Sequence, residues 1–401
     1  REVEDRLSDA LHERLTQRFV DQRTSVLVRK LKDKEFLKSA VSTEGNVMVE
    51  GHFVGRIDGF KFVPDATDSD VAGRTVMAAA YRALASEVQR RATAFINADS
   101  AAIMLRPDGA LVWLKLVEAQ AVAKLVAGAD ALKPKIKLVS GNLLEGLVKD
   151  RIEQRLQSWL DAYIAENLKP LLKARDSDLT GPVRGLIFHL LEGSGVLNKR
   201  QATDQLKALE KRDYGVLHHL GIKIGRREVF FPNLLRPKPA GLSALLWAIK
   251  NDIKPVPKLP PPGRVSLDYD RSIPFEFMQA AGFRQAGSLL VRIDILERVI
   301  GMLKSRAAKG PFKADPELLN LLGCSAEDIV GVLKSLGYEK QKTSAKEAEE
   351  VPVLFAPEKR KLKRLQKGKY TTNYKAKTDQ KVLPGVVPAG SPFEKLKKLS
   401  F

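Results

Sequence analysis

One stretch of the sequence, residues 316–336, reads PELLNLLGCSAEDIVGVLKSL and predicts two short helices joined by a tight turn. Leucines at helical spacing fill its first part, and Gly323 interrupts them. Ser325 stands three residues before Asp328, a typical helix start because the serine hydroxyl accepts a backbone N–H of the first turn. We therefore predict helices over Pro316 to Leu322 and Ser325 to Leu336.

The sequence on either side of this helix pair predicts one further helix before it and strands after it. A helical pattern precedes it from Leu289 to Ala307, and Gly337-Tyr338 and a strand-like stretch from Val351 to Phe355 come after it. This order is typical of a winged helix, whose third helix enters a groove of nucleic acid. Glu327 and Asp328 place acid at the start of that helix, where phosphates would be repelled. A purely structural or protein-binding helical module is therefore the alternative.

Upstream of this module, composition and periodicity divide the chain into further segments. Five prolines between Pro255 and Pro262 form a stiff, extended connector, which indicates a domain boundary. We predict an α+β, predominantly helical, multi-domain fold with a small β-rich unit, a helical domain, a winged-helix-like C-terminal module and a disordered basic tail. The predicted segments are 1–45 (helical), 46–140 (mixed α/β with hairpins), 141–254 (helical with a short β segment), 255–264 (connector), 265–357 (winged-helix-like module) and 358–401 (tail).

Within the first half of the chain, several local patterns predict individual elements. Pro107-Asp108-Gly109 between apolar runs predicts a hairpin. The other predicted elements are an amphipathic helix over Val3 to Leu31, a small sheet over Asn46 to Pro64, an Ala-rich helix over Val71 to Asn97, and strands over Val122 to Leu125 and Ile136 to Val139 around turns at Gly128 and Pro134.

The middle of the chain is predicted to be helical, with one exception. The stripe from Leu143 to Ile164 predicts a helix that breaks near Pro170, and a second helix over Pro182 to Leu191 ends at Gly193-Ser194-Gly195. Val216 to Pro232 is predicted to form a strand pair or an extended loop, and Leu242 to Ile249 a short helix.

Charge indicates the class of partner. Lys and Arg number 68 against 48 Asp and Glu, a net charge of +20, and such a field attracts polyanions. The segment from Glu358 to Phe401 carries half of this excess and has too little apolar surface to fold alone. We predict that it binds nucleic acid, with Tyr370 and Tyr374 stacking on bases; a solubilising tail is the alternative.

Motifs for catalysis are absent from the sequence. It contains no phosphate-binding Gly-x-x-x-x-Gly-Lys-Ser/Thr loop, no Asp-Glu-x-His segment, and no spacing that indicates a catalytic triad. Its five histidines, His12, His52, His189, His218 and His219, lack metal-ligand spacing, so we predict no metal site and no cofactor in this chain. An enzyme with an unrecognised site is a third alternative.

Cysteine usage and hydropathy indicate the compartment. The single Cys324 excludes an intrachain disulfide and suits a reducing cytosol, and no apolar run approaches the length that spans a bilayer. We expect a cytoplasmic protein without membrane contact. Because the chain begins with Arg1 and enters a helical pattern at once, we also expect it to be part of a longer protein.

Several stretches carry a resemblance to a known family. The chain resembles the part that comes after the motor in a bacterial family of helicase-related proteins, which is similar to the mitochondrial-degradosome type of superfamily-two DExH RNA helicase. The matching stretches are Glu4 to Asp21, Gly51 to Arg56 with Gly59-Phe60, Leu234 to Pro237, Leu245 to Trp247, Pro261 to Val265, Leu321 to Ser325, and Ser391 to Phe393 with Leu396.

The resemblance implies an ATP-dependent helicase with two RecA-like domains before Arg1. Every ATP- and Mg-binding residue of such a motor would lie outside this chain, so no catalytic residue is carried over. The chain itself would supply accessory domains that complete a channel for single-stranded RNA or DNA.

Candidate contacts for nucleic acid are suggested by the basic clusters. They are Arg226, Arg227, Arg236 and Lys238 in the body, and Lys359, Arg360, Lys361, Lys363, Arg364, Tyr370 and Tyr374 in the tail. Arg226 and Arg227 have an alternative interpretation as solvated loop charges, paired with nearby Glu228. At the level of the whole chain, the alternative is a protein-interaction module that docks a nuclease or a ribosomal partner and binds RNA only loosely.

Overall fold

The computed structural model describes residues 8, 11, 39–42, 45–49, 52–64, 71–116, 120–141, 144–341 and 354–357. The chain divides into Arg1–Glu358 and Lys359–Phe401, and the second part lies outside the described residues. The predicted helix over Val3 to Leu31 also lies outside them, apart from Ser8 and Leu11.

Two four-stranded antiparallel sheets make up the first part of the described chain. Each is a meander, with neighbouring strands in sequence order. The first contains β1 (Ser39–Val41), β2 (Asn46–Val49), β3 (His52–Asp58) and β4 (Lys61–Pro64). The second contains β5 (Ile103–Leu105), β6 (Ala110–Trp113), β7 (Ala121–Asp130) and β8 (Lys133–Leu138).

The long helix α1 (Val71–Ile96) connects the two sheets, as the Ala-rich pattern predicts. The aromatic ring of Phe95 contacts Phe60 and Trp113 edge-on, at centroid distances of 5.7 and 5.3 Å. The predicted hairpin at Pro107-Asp108-Gly109 is confirmed: β5 pairs with β6, and Gly109 adopts a φ of +82° at the turn.

Three helices come after the second sheet, and the first of them packs against β8. They are α2 (Gly146–Asn167), α3 (Lys169–Asp176) and α4 (Gly181–Glu192). Buried Ile152, Leu156 and Leu160 of α2 join the same core as Leu111 and Val122 of the sheet. The predicted break near Pro170 and the helix end at Gly193 are confirmed.

From α4 onward, one order of elements recurs three times. The first unit contains α4, β9 (Val196–Asn198), α5 (Thr203–Lys207), α6 (Lys211–His219), β10 (Lys223–Ile224) and β11 (Glu228–Phe230). The second contains α7 (Pro237–Lys250), β12 (Ser266–Asp268), α8 (Phe275–Ala280), β13 (Phe283–Ala286) and β14 (Leu289–Arg292). The third contains α9 (Ile293–Ala307), β15 (Phe312–Lys313), α10 (Pro316–Leu322), α11 (Ala326–Ser335), β16 (Tyr338–Lys340) and β17 (Leu354–Pro357).

All three units share one sheet topology. The last strand of each lies between the first and the second, in the orders β10-β11-β9, β12-β14-β13 and β15-β17-β16, and all pairs are antiparallel. The second unit has only one described helix between its first two strands, where the other two units have a pair.

A glycine ends the helix before each hairpin. Gly221, Gly282 and Gly337 have φ values of +79°, +86° and +89°, which an L side chain rarely adopts. Each comes after an apolar residue and precedes a large apolar or aromatic one: Leu-Gly-Ile, Ala-Gly-Phe and Leu-Gly-Tyr. The same pattern also occurs inside helices, at Ile300-Gly301-Met302 and Val330-Gly331-Val332, so the sequence alone does not identify the three helix ends.

The structure corrects three predictions of local structure. Residues Val216 to His219 are helical, because they complete α6, and the predicted strand pair is confined to β10 and β11. Leu289 to Arg292 form β14 and not the start of a helix, since they pair with β12 and β13. Gly128 and Pro134 lie inside β7 and β8, which turn between Asp130 and Lys133.

The helix-ending glycines give a testable difference in stability. We expect Gly337→Ala to lower the free energy of unfolding by about 1–2 kcal/mol, the cost of a left-handed φ for an L residue. Gly282→Ala should cost about 1 kcal/mol more, because its Cβ would lie 2.6 Å from Cδ2 of Leu235, whereas nothing lies within 4 Å at Gly337. Urea denaturation measures both, with Gly221→Ala as a second open-space control. Equal losses at Gly282 and Gly337 would contradict the packing argument.

Candidate nucleic-acid interface

The helix before the hairpin is exposed to very different extents in the three units. In α6 only Leu217 is buried among nine residues. Tyr214 and Val216 are exposed by 49% and 39%, and the other exposed positions are Lys211, Arg212, Gly215, His218 and His219. Helix α6 therefore presents most of its surface to solvent.

The counterparts of α6 are covered. Phe277, Met278 and Ala280 are buried in the six-residue α8. In α11, the helix that the sequence indicated as the groove-entering one, Gly331 lies against the β13–β14 turn. A Cβ on Gly287 of that turn would lie 2.6 Å from the carbonyl carbon of Gly331. The exposed residues of α11 are Ala326, Glu327, Lys334 and Ser335, of which only Lys334 is basic.

Hydrogen bonds at the start of α6 engage its acidic groups. The carboxylate of Asp213 accepts the N–H of Glu210 at 2.8 Å, and Arg212 Nε lies 3.1 Å from Glu210 Oε2. No carboxylate among the described residues forms an ion pair with Lys211. The solvent face of α6 thus combines a basic group with an exposed aromatic ring, the pairing that binds phosphates and stacks on bases.

A cavity of about 470 Å³ lies beside this helix. Tyr214, Leu217 and His218 of α6 line one side, and Gly221, Lys223 and Pro232 line the other. The hairpin of β10 and β11 therefore borders the same surface that α6 exposes.

The turn of that hairpin holds the predicted contacts Arg226 and Arg227, and it is anchored to α9. The buried carboxylate of Glu297 accepts the backbone N–H groups of Arg226, of Arg227 at 2.7 Å and of Glu228 at 2.8 Å. A Cβ on Gly225 would lie 2.6 Å from Glu297 Oε2, so glycine is required for this close approach.

The two arginine side chains have different surroundings. The guanidinium of Arg227 donates to the carbonyl of Leu336, at the end of α11, at 3.0 Å. Arg226 is exposed, and its Nε lies near Gly301 of α9. Burial raises the pKa of Tyr338, and the charges of Arg227 and Arg226 act in the opposite direction. Arg227 therefore connects the first and third units, whereas Arg226 has a surface open to a ligand.

Glu228 does not pair with either of these arginines, so the predicted pairing is wrong, although Arg226 is exposed as a solvated loop charge would be. Its carboxylate is 4% exposed and accepts two bonds from Arg284, at 3.0 and 2.8 Å, and one from Asn198 Nδ2 at 3.0 Å. The reason is geometric, because Arg284 on β13 reaches the buried side of β11 while the turn arginines lie beyond its end.

The remaining predicted contacts lie elsewhere. Arg236 and Lys238 are both exposed at the start of α7, on a different element from the hairpin turn. All the predicted tail contacts lie outside the described residues: Lys359, Arg360, Lys361, Lys363, Arg364, Tyr370 and Tyr374.

The described part of the chain offers little other candidate chemistry. No group of three or more His, Cys, Asp or Glu side chains there is arranged to hold a metal ion. Cys324 is half-buried, and burial together with the charge of Asp328 raises the pKa of its thiol. No described helix has both the length and the apolar content that crossing a bilayer requires.

Three exposed residues of α6, namely Lys211, Arg212 and Tyr214, are not among the contacts that the sequence predicted. The nearest signal in the sequence is Leu220-Gly221-Ile222, which recurs as Ala281-Gly282-Phe283 and Leu336-Gly337-Tyr338 but is not specific to helix ends. Each copy marks the end of the equivalent helix, although it does not indicate which helix is exposed.

Comparison with known proteins identifies no relative: no protein-family model, no curated protein and no solved structure matches this chain.

Proposed function

We propose that this chain is a nucleic-acid-binding accessory region of an ATP-dependent helicase, that α6 is its principal contact in the body, and that it performs no catalysis itself. The observation that carries the proposal is the exposure of α6. Of three equivalent helices, it alone presents nearly its whole surface, and that surface is basic and aromatic.

The connectivity of the three units supports this proposal. In the first and third, a helix, a strand, two helices and two strands succeed one another, and the last strand inserts between the other two. This is the connectivity of a winged helix, in which the third helix contacts nucleic acid. We interpret the units that end at β11, β14 and β17 as three winged-helix-like modules, so the proline-rich connector 255–264 lies inside the second.

The charge distribution adds a second element to the proposal. The tail from Lys359 onward supplies phosphate neutralisation, while α6 supplies a structured contact. The resemblance to the degradosome-type helicases implies a motor, with its ATP and Mg²⁺, before this chain. The ligand class is RNA or DNA.

A charge reversal on α6 tests the proposal. We expect Lys211→Glu to weaken binding of labelled single-stranded RNA or DNA about tenfold at 0.1 M salt, because a phosphate contact is replaced by repulsion. The control is Lys334→Glu, which makes the same charge change on α11. Fluorescence anisotropy at two salt concentrations, without ATP, measures both variants.

Equal losses in the two variants would indicate a nonspecific effect of net charge and would remove α6 from the interface. Failure of the unaltered chain to bind either nucleic acid at low salt would overturn the proposal as a whole. Tyr214→Ala tests stacking separately from charge. It should weaken binding by about 1–3 kcal/mol, the contribution of one stacked base, whereas Tyr214→Phe keeps the ring and should bind like the unaltered chain.

A specific observation favours a second function, the protein-interaction module. A cavity of about 450 Å³ lies between the proline-rich connector and the rest of the second unit, with a mainly apolar lining that includes Leu235, Leu259, Pro261 and Phe283. Such a surface is suited to an apolar protein segment of a nuclease or ribosomal partner. Binding there would respond little to salt, which distinguishes it from binding to phosphates.

A further inference from the structure

A second basic surface lies on the sheet of β5 to β8, on elements other than α6 and its hairpin. Lys133, Lys135 and Lys137 alternate along β8 and are exposed, while Pro134 and Leu138 between and after them are buried. Side chains two residues apart on a strand lie on one face, about 6.6 Å from each other. The strand therefore presents a regular row of charges.

The neighbouring strand β7 adds a further lysine beside this row. Lys124 of β7 is exposed and is the direct cross-strand partner of Lys137. Like charges directly opposite one another destabilise a sheet. Among the described residues, no carboxylate forms an ion pair with Lys124, Lys135 or Lys137, which together we call the lysine ladder. The sheet thus holds uncompensated charge at a cost in stability.

Protection of a sheet edge explains only part of this arrangement. Lysines on an edge strand discourage pairing with other chains, and β8 is an edge strand. However, Lys124 lies on β7, which is not at the edge. Helix α2 also covers part of the edge, where Gln157 Nε2 donates to the carbonyl of Pro134 at 3.3 Å. A ligand for the charges accounts for the position of Lys124 as well.

One short helix, α3, contacts both α6 and the turn between β7 and β8, the two strands that carry the lysine ladder. Lys173 of α3 donates to the carbonyl of His219, at the end of α6, at 3.4 Å. Two residues further along α3, Arg175 lies 3.7 Å from Asp130, at the end of β7. The β7–β8 turn, from which β8 and its lysines extend, and α6 therefore both contact α3, and one extended polyanion of sufficient length could reach the ladder and α6.

We propose that the lysine ladder binds the sugar-phosphate backbone of single-stranded nucleic acid and extends the footprint that begins at α6. This proposal rests on the proposed function, since it takes α6 as the first contact. The occupant is a single strand because three exposed lysines on two neighbouring strands match closely spaced phosphates, and because the exposed ring of Tyr214 on α6 can stack only on the unpaired bases of a single strand.

The test compares Lys124→Gln/Lys135→Gln/Lys137→Gln with a matched triple variant, Lys309→Gln/Lys313→Gln/Lys334→Gln. The control removes three exposed lysines from the third unit and changes net charge equally. Both variants, in the full chain, are titrated with labelled single strands of about 6 and about 24 nucleotides over a range of salt concentrations.

The expected result is length-dependent. The ladder variant should lose up to about a hundredfold in affinity for the long strand at 0.1 M salt, and its log-log salt slope should fall by about 2, since each phosphate contact with a single strand contributes about 0.7. Its affinity for the short strand should change little, and the control should behave like the unaltered chain on both.

Three other outcomes would overturn the proposal while leaving the proposed function standing. In the first, the ladder variant binds the long strand with unchanged affinity. In the second, the control variant loses as much affinity for the long strand as the ladder variant does. In the third, the ladder variant loses as much affinity for the short strand as for the long one. If the unaltered chain shows no salt-sensitive binding, the proposed function itself fails. Superimposable circular dichroism spectra and unfolding curves of the variants would exclude misfolding as the cause of a loss.

Discussion

Replacement of Glu297 by alanine is expected to lower the free energy of unfolding by about 3 kcal/mol or more. The carboxylate is buried on α9 and accepts three consecutive backbone N–H groups from Arg226, Arg227 and Glu228. Alanine would leave the buried N–H of Glu228 and the partly buried N–H groups of the two arginines without this acceptor, and an unsatisfied buried donor costs about 1–3 kcal/mol. The hairpin of the first unit would also lose its backbone hydrogen bonds to α9 and would keep only the Arg227–Leu336 bond to the third unit among its described hydrogen bonds.

Urea denaturation monitored by tryptophan fluorescence measures this loss. The control is Glu317→Ala, which removes a carboxylate that pairs with Arg306 but is 66% exposed, and which should cost no more than about 1 kcal/mol. Glu297→Gln keeps one acceptor oxygen and should give an intermediate value. A Glu297→Ala variant as stable as the control would contradict the anchoring role.

Arg284→Met is expected to destabilise the protein by about 3–5 kcal/mol, because it leaves the carboxylate of Glu228 buried without its cation. The pair is well enclosed, with side-chain exposures of 12% for Arg284 and 4% for Glu228, and it joins the first unit to the second through two hydrogen bonds. Arg284 also donates to Gln279 Oε1 at 2.7 Å, so the substitution removes a further contact.

A double variant distinguishes the cost of an unpaired charge from the value of the pair. Arg284→Met/Glu228→Gln removes both charges, and the amide can still bond to Asn198, so we expect it to recover more than half of the loss. The free energies of unfolding of the two single variants and the double variant form a mutant cycle. Additive losses would show that the two side chains do not interact energetically.

Local sequence patterns were sufficient for many individual elements. The Pro-Asp-Gly hairpin, the Ala-rich helix, the break at Pro170 and the helix capped by Ser325 depend on contacts within a few residues, and the structure confirms each. Errors arose where distant partners decide the conformation. The sequence predicts the start of a helix at Leu289 to Arg292, because a short apolar run fits the periodicity of a helix as well as that of a strand. Pairing with β12 and β13 makes this segment a strand.

The sequence by itself determined the basic charge, the absence of recognised catalytic motifs, and the glycines that end three equivalent helices at Gly221, Gly282 and Gly337. Only the tertiary structure decided which of those helices is exposed, that Arg227 and Glu228 connect units, and that Lys124 lies opposite Lys137. The physical reason is that charge and backbone conformation are local properties of a residue. Exposure and pairing depend on the elements that pack against it from other parts of the chain.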